Sequence, residues 1–417
     1  MNIDIKDIAL QSAECQTLSN GIKLYTLNND QFEVLRISFV FDAGTSVQTH
    51  PFSASAAANM LCEGSKTMSA HQIAEELDYY GSYFDVNIDR DNVYVNFCSL
   101  SKFVEQTLRV AEQIILHPTF AQEEVDRYRD KRKQRLMIEL EKVETKAREE
   151  FAKSLFGTTH PYGISHSESE YDNLTRQQIV DIYERFYCAE RCFVVCSGHI
   201  GESERQQIVE LASAIPQGEK RATRTMPEAV SRPFHLVECS DAVQSSIRIG
   251  QRMFTRSHPD FLGMQILATT LGGYFGSRLM QRLREQRGLT YGVMSTMVNF
   301  AHDGYFAIAT QVGIEATHEA IEIIMEEVER LRTEPIGDEE LEMVRRIMVG
   351  EIMRILDGPF GIADVTIENI LCGDDNDVIA RNVARIESYT SQQLLELAQR
   401  TIDPEAMVCV VAGQMES

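Results

Sequence analysis

Thr175-Arg-Gln-Gln-Ile-Val-Asp-Ile-Tyr-Glu-Arg185 leads to the apolar run Phe193-Val-Val-Cys-Ser-Gly198, and further along Thr390-Ser-Gln-Gln-Leu-Leu-Glu-Leu-Ala-Gln-Arg400 leads to Val408-Cys-Val-Val-Ala-Gly413. The offset is 215 both at the threonines and at the glycines, so the chain reads as two copies of one unit. Each copy opens on Thr-x-x-Gln, in which the hydroxyl accepts from the third helical N–H while the Gln side chain reaches back to the cap. Leu174 with Ile179, and Tyr389 with Leu394, supply the apolar staple across that cap. Both copies are therefore helix, loop, buried strand.

Working outward, Val104, Thr107, Leu108, Ala111, Ile114 and Ile115 trace a helical face that ends at His117-Pro118, and Ile321 to Leu331 ends similarly before Pro335. Glu123-Glu-Val and Glu339-Glu-Leu then open long charged helices at an offset of 216. Upstream, Leu35, Ile37, Phe39 and Phe41, and again Val93, Val95 and Phe97, alternate as strands do. The predicted fold class is α+β, with two homologous domains, each an antiparallel sheet covered by helices. The first spans residues 1–215 and the second 233–417. Residues 216–232, with Pro216, Gly218, Lys220, Arg221, Arg224, Pro227 and Arg232, have the composition of a linker.

A chain of 417 residues exceeds what one core usually organises, which fits the duplication. Forty Lys and Arg against 63 Asp and Glu give a net charge of −23, a field that repels phosphate backbones and anionic lipid. Neither nucleic acid nor a membrane is an expected partner. No basic, apolar leader opens the sequence and no apolar run approaches the ~18 residues of a membrane span, so a cytoplasmic protein is expected. Nine cysteines, an odd number, read as free thiols. Cys188, Cys192 and Cys196 invite a metal reading by their spacing. There is no CxxC pair, however, and Cys192 and Cys196 bracket a strand-like run where small hydrophobes are wanted. The basic cluster Arg127, Arg129, Lys131, Arg132, Lys133 and Arg135 reads first as a solvated, ion-paired helix face.

No self-sufficient active site is visible. The sequence has no HExxH, HxxEH, GxSxG, Walker loop or GxGxxG, and none of its ten histidines has another four residues on. Gly272-Gly273-Tyr-Phe-Gly276 lacks the Lys-Ser/Thr of a phosphate loop and reads as a turn. One segment stands out, Ser277-Arg-Leu-Met-Gln-Arg-Leu-Arg284-Glu-Gln-Arg-Gly288-Leu-Thr-Tyr291-Gly-Val293. Leu279 and Leu283 imply a helix that Gly288 ends, with Arg284 near its close and Tyr291 opening the next strand. An arginine there also complements a helix dipole, and spacing alone does not choose between capping and chemistry.

The duplicated halves, Gly44-Thr45, Met60-Leu61-Cys-Glu-Gly64-Ser65, His160-Pro-Tyr-Gly163 and the segment from Leu271 to Val293 together resemble the insulinase/pitrilysin-type zinc peptidases over nearly the whole chain. Active members of that family carry His-x-x-Glu-His before the position matching Met60-Leu61. The two imidazoles bind zinc and the glutamate serves as base. Here Ser55, Ala58 and Asn59 stand in for His, Glu and His. Local likeness places the family's further glutamate ligand at Glu139, with a slightly longer spacing, and one carboxylate does not hold zinc. The resemblance assigns Arg284 and Tyr291 to the pair that orients a peptide and hydrogen-bonds the tetrahedral intermediate. It implies a non-catalytic subunit of a heterodimeric metalloendopeptidase that binds no cofactor itself. A homologous partner would carry the zinc, and the substrates would be peptides or unfolded segments. The rival readings are a peptidase-like scaffold or peptide-binding protein, and a homodimer with zinc ligands from elsewhere.

Overall fold

The structure is a computed structural model, and it describes residues 11–219, 227 and 234–415. Eleven strands among these residues form two sheets. The first sheet is built from β1 (Glu14–Thr17), β2 (Lys23–Asn28), β3 (Val34–Phe41), β4 (Tyr83–Ile88), β5 (Val93–Leu100) and β6 (Cys192–Gly198), in the order β1-β2-β6-β3-β5-β4. The second contains β7 (Phe234–Glu238), β8 (Gln244–Met253), β9 (Val293–Asn299), β10 (Gly304–Gly313) and β11 (Val408–Gly413), in the order β7-β11-β8-β10-β9. Pairing is mostly antiparallel, with one parallel pair in each sheet, β2 with β6 and β7 with β11. A parallel neighbour requires a long crossover, and here nearly the whole half intervenes between the two strands.

The helices are α1 (Ser53–Asn59), α2 (Ala70–Tyr79), α3 (Val104–Leu116), α4 (Gln122–Glu141), α5 (Val143–Phe156), α6 (Arg176–Phe186) and α7 (Glu202–Ser213) in the first half. In the second they are α8 (Phe261–Gly272), α9 (Thr317–Thr333), α10 (Asp338–Ile355), α11 (Pro359–Leu371), α12 (Asp377–Ser388) and α13 (Ser391–Thr401). Both repeated capping boxes form. Thr175 and Gln178 exchange bonds at the start of α6, and Thr390 and Gln393 do so at the start of α13.

The repeat ends in glycine for a physical reason. Gly198 and Gly413 have φ of 126° and 146°, a region that side chains rarely enter. A Cβ on Gly198 would lie 2.1 Å from the Val34 carbonyl oxygen, and one on Gly413 2.6 Å from Ser245 Oγ. Gly198→Ala is therefore expected to destabilise the first half by about 3 kcal/mol or more. A fall in urea midpoint with the slope retained would show it, and a variant melting like the parent would refute the strain argument.

Each sheet packs one face on its own helices. Phe39, Val95 and Ile114 belong to the first core, and Ile249, Leu267 and Ile324 to the second. The other face is covered by exchange. Helix α4 stops at Lys142, whose ψ of 129° turns the chain, and α5 then lays Phe151, Leu155 and Phe156 against Ala307, Val408 and Val410 of the second sheet. Its counterpart α11, 216 residues on and set off by Gly358 at φ 103°, lays Ala363 and Ile367 against Val40 and Val195 of the first. The sequence expectation of helices over their own sheet thus holds for one face only.

Polar bonds seal the joint between the halves. Asp91 accepts from Tyr162 Oη at 2.7 Å and from the Ala301 amide at 2.9 Å, and Arg36 pairs with Asp364 at 2.6 Å. Of the linker, Pro216 and Gly218 are tied to the first half through the Ala189 amide and Glu190, while Lys220, Arg221, Arg224 and Arg232 lie outside the described residues. No described helix is long and apolar enough to cross a membrane.

Candidate functional site

Helix α1 carries Ser55, Ala58 and Asn59, and its surroundings decide whether a metal fits. Ala58 is fully buried in the first core and brings no carboxylate to the position of the family's glutamate. The Asn59 amide is committed at both ends. Its Nδ2 donates to the Ser55 carbonyl at 2.6 Å, and its Oδ1 accepts from Arg132 Nη2 at 2.6 Å. Arg132 arrives from α4 with its guanidinium 5.2 Å from the Tyr128 ring centroid, a cation–π contact. A fixed positive charge therefore stands beside the second motif position, where a divalent cation would need donors. Zinc does not fit these residues. Among the described residues no group of three or more His, Cys, Asp or Glu converges on one point.

Glu139 does not reach α1. It lies seven residues beyond Arg132, about 10 Å along α4. It accepts from Lys142 Nζ at 2.8 Å, and that bond holds its carboxyl below the usual range. The residue on α4 that meets the motif helix is Arg132, which sequence reading left inside a basic face. Its neighbours do behave as such a face, since Arg127 pairs with Glu124 and Arg129 with Asp126 at i,i+3 spacing, and Lys133 with Asp172. Burial pushes the Cys196 thiol up, as suits a small hydrophobe in β6.

The other constellation lies in the second half. Met280–Gln286 is the expected helix, wound in the π form, which is common where function intrudes on regular structure. Gly288, at φ 65°, ends it. Its amide donates to the Arg284 carbonyl at 3.0 Å, and the Leu289 amide donates to that of Leu283 at 2.8 Å. The arginines of this segment differ sharply in their partners. Arg278 makes a forked pair with Glu340 at 2.8 and 2.7 Å, Arg282 binds Glu326 and the fully buried Glu327, and Arg287 pairs with Glu319. These three fasten the segment to α9 and α10.

Arg284 has no such anchor. Its guanidinium lies 4.7 Å from the centroid of the exposed Phe275 ring, and its nearest carboxylate, Glu285, is 3.7 Å away. Arg284 lies in the last turn of the helix, where the capping reading still applies to it.

Tyr291 sits in a turn two residues before β9, not in the strand as expected. The Thr290 hydroxyl accepts from the Gly292 amide at 3.1 Å and lies 3.0 Å from Thr310 Oγ1, which fixes the turn and displays the phenol. Tyr291 is 90% exposed and hydrogen-bonds to no described residue. The turn forms one wall of a cleft of about 410 Å³, which Glu144 of α5 and Arg248 of β8 also line. No hydrogen bond or cation–π contact joins Arg284 to Tyr291. Both project from one short segment whose backbone is pinned on either side.

Two family profiles match this chain. One, described as Insulinase (Peptidase family M16), covers residues 54–163 and takes in Ser55, Ala58 and Asn59. The other, described as Peptidase M16 inactive domain, covers 173–348 and takes in Arg284 and Tyr291. The chain belongs to the M16, or insulinase, peptidase family. Relatives include an uncharacterized zinc protease of Rickettsia bellii, 25% identical over 76% of this chain and 80% of that one. Another is the zinc protease YmxG of Bacillus subtilis, 21% identical over 82% and 84%. Among M16 structures, a peptidase M16 inactive domain from Pseudomonas fluorescens matches with a TM-score of 0.89 at 22% identity, covering 98% of this chain and 99% of that one. A chain of complex III2 from Candida albicans shares the fold at a TM-score of 0.79 and 13% identity, over 96% and 95%.

Proposed function

We propose that this chain is the non-catalytic subunit of a heterodimeric zinc endopeptidase and completes a partner's active site in trans. The observation that carries the reading is a contrast within one M16 chain. The motif helix presents Ala58 and the Arg132 guanidinium in place of metal donors, while Arg284 is tied to no carboxylate of another element and Tyr291 is 90% exposed. The partner, a homologous chain, supplies zinc and base. Tyr291 donates its hydroxyl to the oxyanion that develops on the scissile carbonyl, and Arg284 holds the peptide in place. Substrates are peptides or unfolded segments, which add as a strand to an open sheet edge such as β4 or β9. Nine unpaired thiols suit a reducing compartment, in keeping with the cytoplasm.

The test is to assay this chain, a homologue bearing His-x-x-Glu-His and their mixture on a quenched-fluorescence peptide. Activity is expected from the mixture alone. Chelator-sensitive cleavage by this chain by itself would end the proposal, and a stable but silent mixture would shift the weight to a scaffold.

A further inference from the structure

The cleft beside Tyr291 holds a guanidinium that the proposed mechanism does not use. Arg248 lies in the interior of the second sheet, where β8 pairs with β10 on one side and β11 on the other. Its side chain is only 15% exposed, and its Nε is buried with no hydrogen-bond partner. The nearest carboxylate oxygen, Glu144 Oε1, is 4.0 Å away, beyond hydrogen-bond range. Glu144 is itself 57% exposed, and its other oxygen accepts from Gln311 at 3.3 Å. Burial lowers the Arg248 pKa, Tyr305 works against that, and the nearby Arg148 adds to it. A charge taken this far from water normally has a hydrogen-bonded counter-ion, and Arg248 has none among the described residues.

We propose that Arg248 binds a carboxylate of the peptide substrate in this cleft, which Tyr291 also lines. This rests on the peptide-site reading above and adds to it a substrate preference. The guanidinium fork matches a carboxylate in two parallel hydrogen bonds. A carboxylate suits the site because Glu144, 4.0 Å away, already offsets part of the positive charge of Arg248. Two sources offer the same chemistry, the carboxyl terminus of the peptide and an Asp or Glu side chain.

Fluorescence anisotropy on the purified full-length chain, without any partner, tests this. The probe is one labelled peptide in three forms: with a free carboxyl terminus, amidated and neutral, and amidated with one internal Asp. The parent chain is expected to bind at least one carboxylate form about 10-fold more tightly than the neutral form. Which form is favoured identifies the source. Arg248→Gln should remove the preference. Because Arg248 is part of a sheet interior, Glu144→Gln, at an exposed position, serves as the second variant. It should strengthen the preference several-fold by taking away the competing carboxylate. Equal affinity for all three forms, no binding of any, or a preference indifferent to both variants would overturn the inference. The trans-site proposal would then still be judged by turnover of the mixture.

Discussion

Tyr291→Phe in the mixed complex is expected to lower turnover by about 100-fold or more while leaving fold and assembly intact. The phenol is 90% exposed and hydrogen-bonds to no described residue, so losing one hydroxyl removes nothing seen to hold the second half together. A surface change of that kind shifts stability by about 0.5 kcal/mol at most. Its effect belongs to the transition state. Removing one preorganised donor to an oxyanion costs about 3–4 kcal/mol of barrier, or 100- to 1,000-fold in rate. The loss should fall equally on kcat and kcat/KM, since the bond strengthens only as charge develops on the carbonyl oxygen. Arg284→Gln should instead act in good part through KM, because a guanidinium that positions substrate already binds it in the ground state. Steady-state kinetics on the mixture, with assembly checked by size-exclusion chromatography, separate the two. Full turnover by a properly assembled Tyr291→Phe complex would remove the residue from the chemistry.

The architecture was legible where local chemistry and long-range pairing agree. Thr175 and Thr390 cap helices by bonds made within four residues, and the strands that follow are apolar because they lie inside their sheets. Their terminal glycines recur because a carbonyl at Val34 and a serine at Ser245 leave no room for a Cβ. The exchange of α5 and α11 was hidden. An apolar stripe such as Phe151 and Leu155 states that a helix buries one face, not which sheet receives it. The π-helical winding was hidden for a related reason, since Leu279 and Leu283 keep a buried stripe under either winding.

At the site, what is missing could be read directly, because Ser55, Ala58 and Asn59 lack the groups that zinc chemistry needs. What has taken its place could not. Arg132 sits among residues paired at i,i+3, and nothing in the linear sequence distinguishes the one that turns inward to Asn59, 73 residues back. Arg248 was equally silent, one arginine in an alternating strand. Its meaning comes from α5, which brings Glu144 close without letting it bond.

Restoring the two imidazoles alone is expected not to restore a metal site. In Ser55→His/Asn59→His, two ligands face one side of α1, but the Arg132 guanidinium loses its Asn59 acceptor and stays opposite them as an uncompensated cation. Two unit charges about 4 Å apart repel by about 4 kcal/mol at an effective dielectric near 20, and a divalent ion doubles the charge on one side. Adding Arg132→Glu removes the repulsion and supplies a third donor, giving the His, His, Glu set that zinc accepts. Zinc affinity, measured by competition with a chromogenic chelator, should therefore rise at least about 100-fold from the double to the triple variant. The parent chain should retain no stoichiometric zinc. Hydrolysis should not return with the metal, because Ala58 stays in the triple variant and supplies no base for a zinc-bound water. Tight zinc binding by the double variant with Arg132 in place would show that the arginine yields to the ion. The closure of this half would then rest on the lost imidazoles alone.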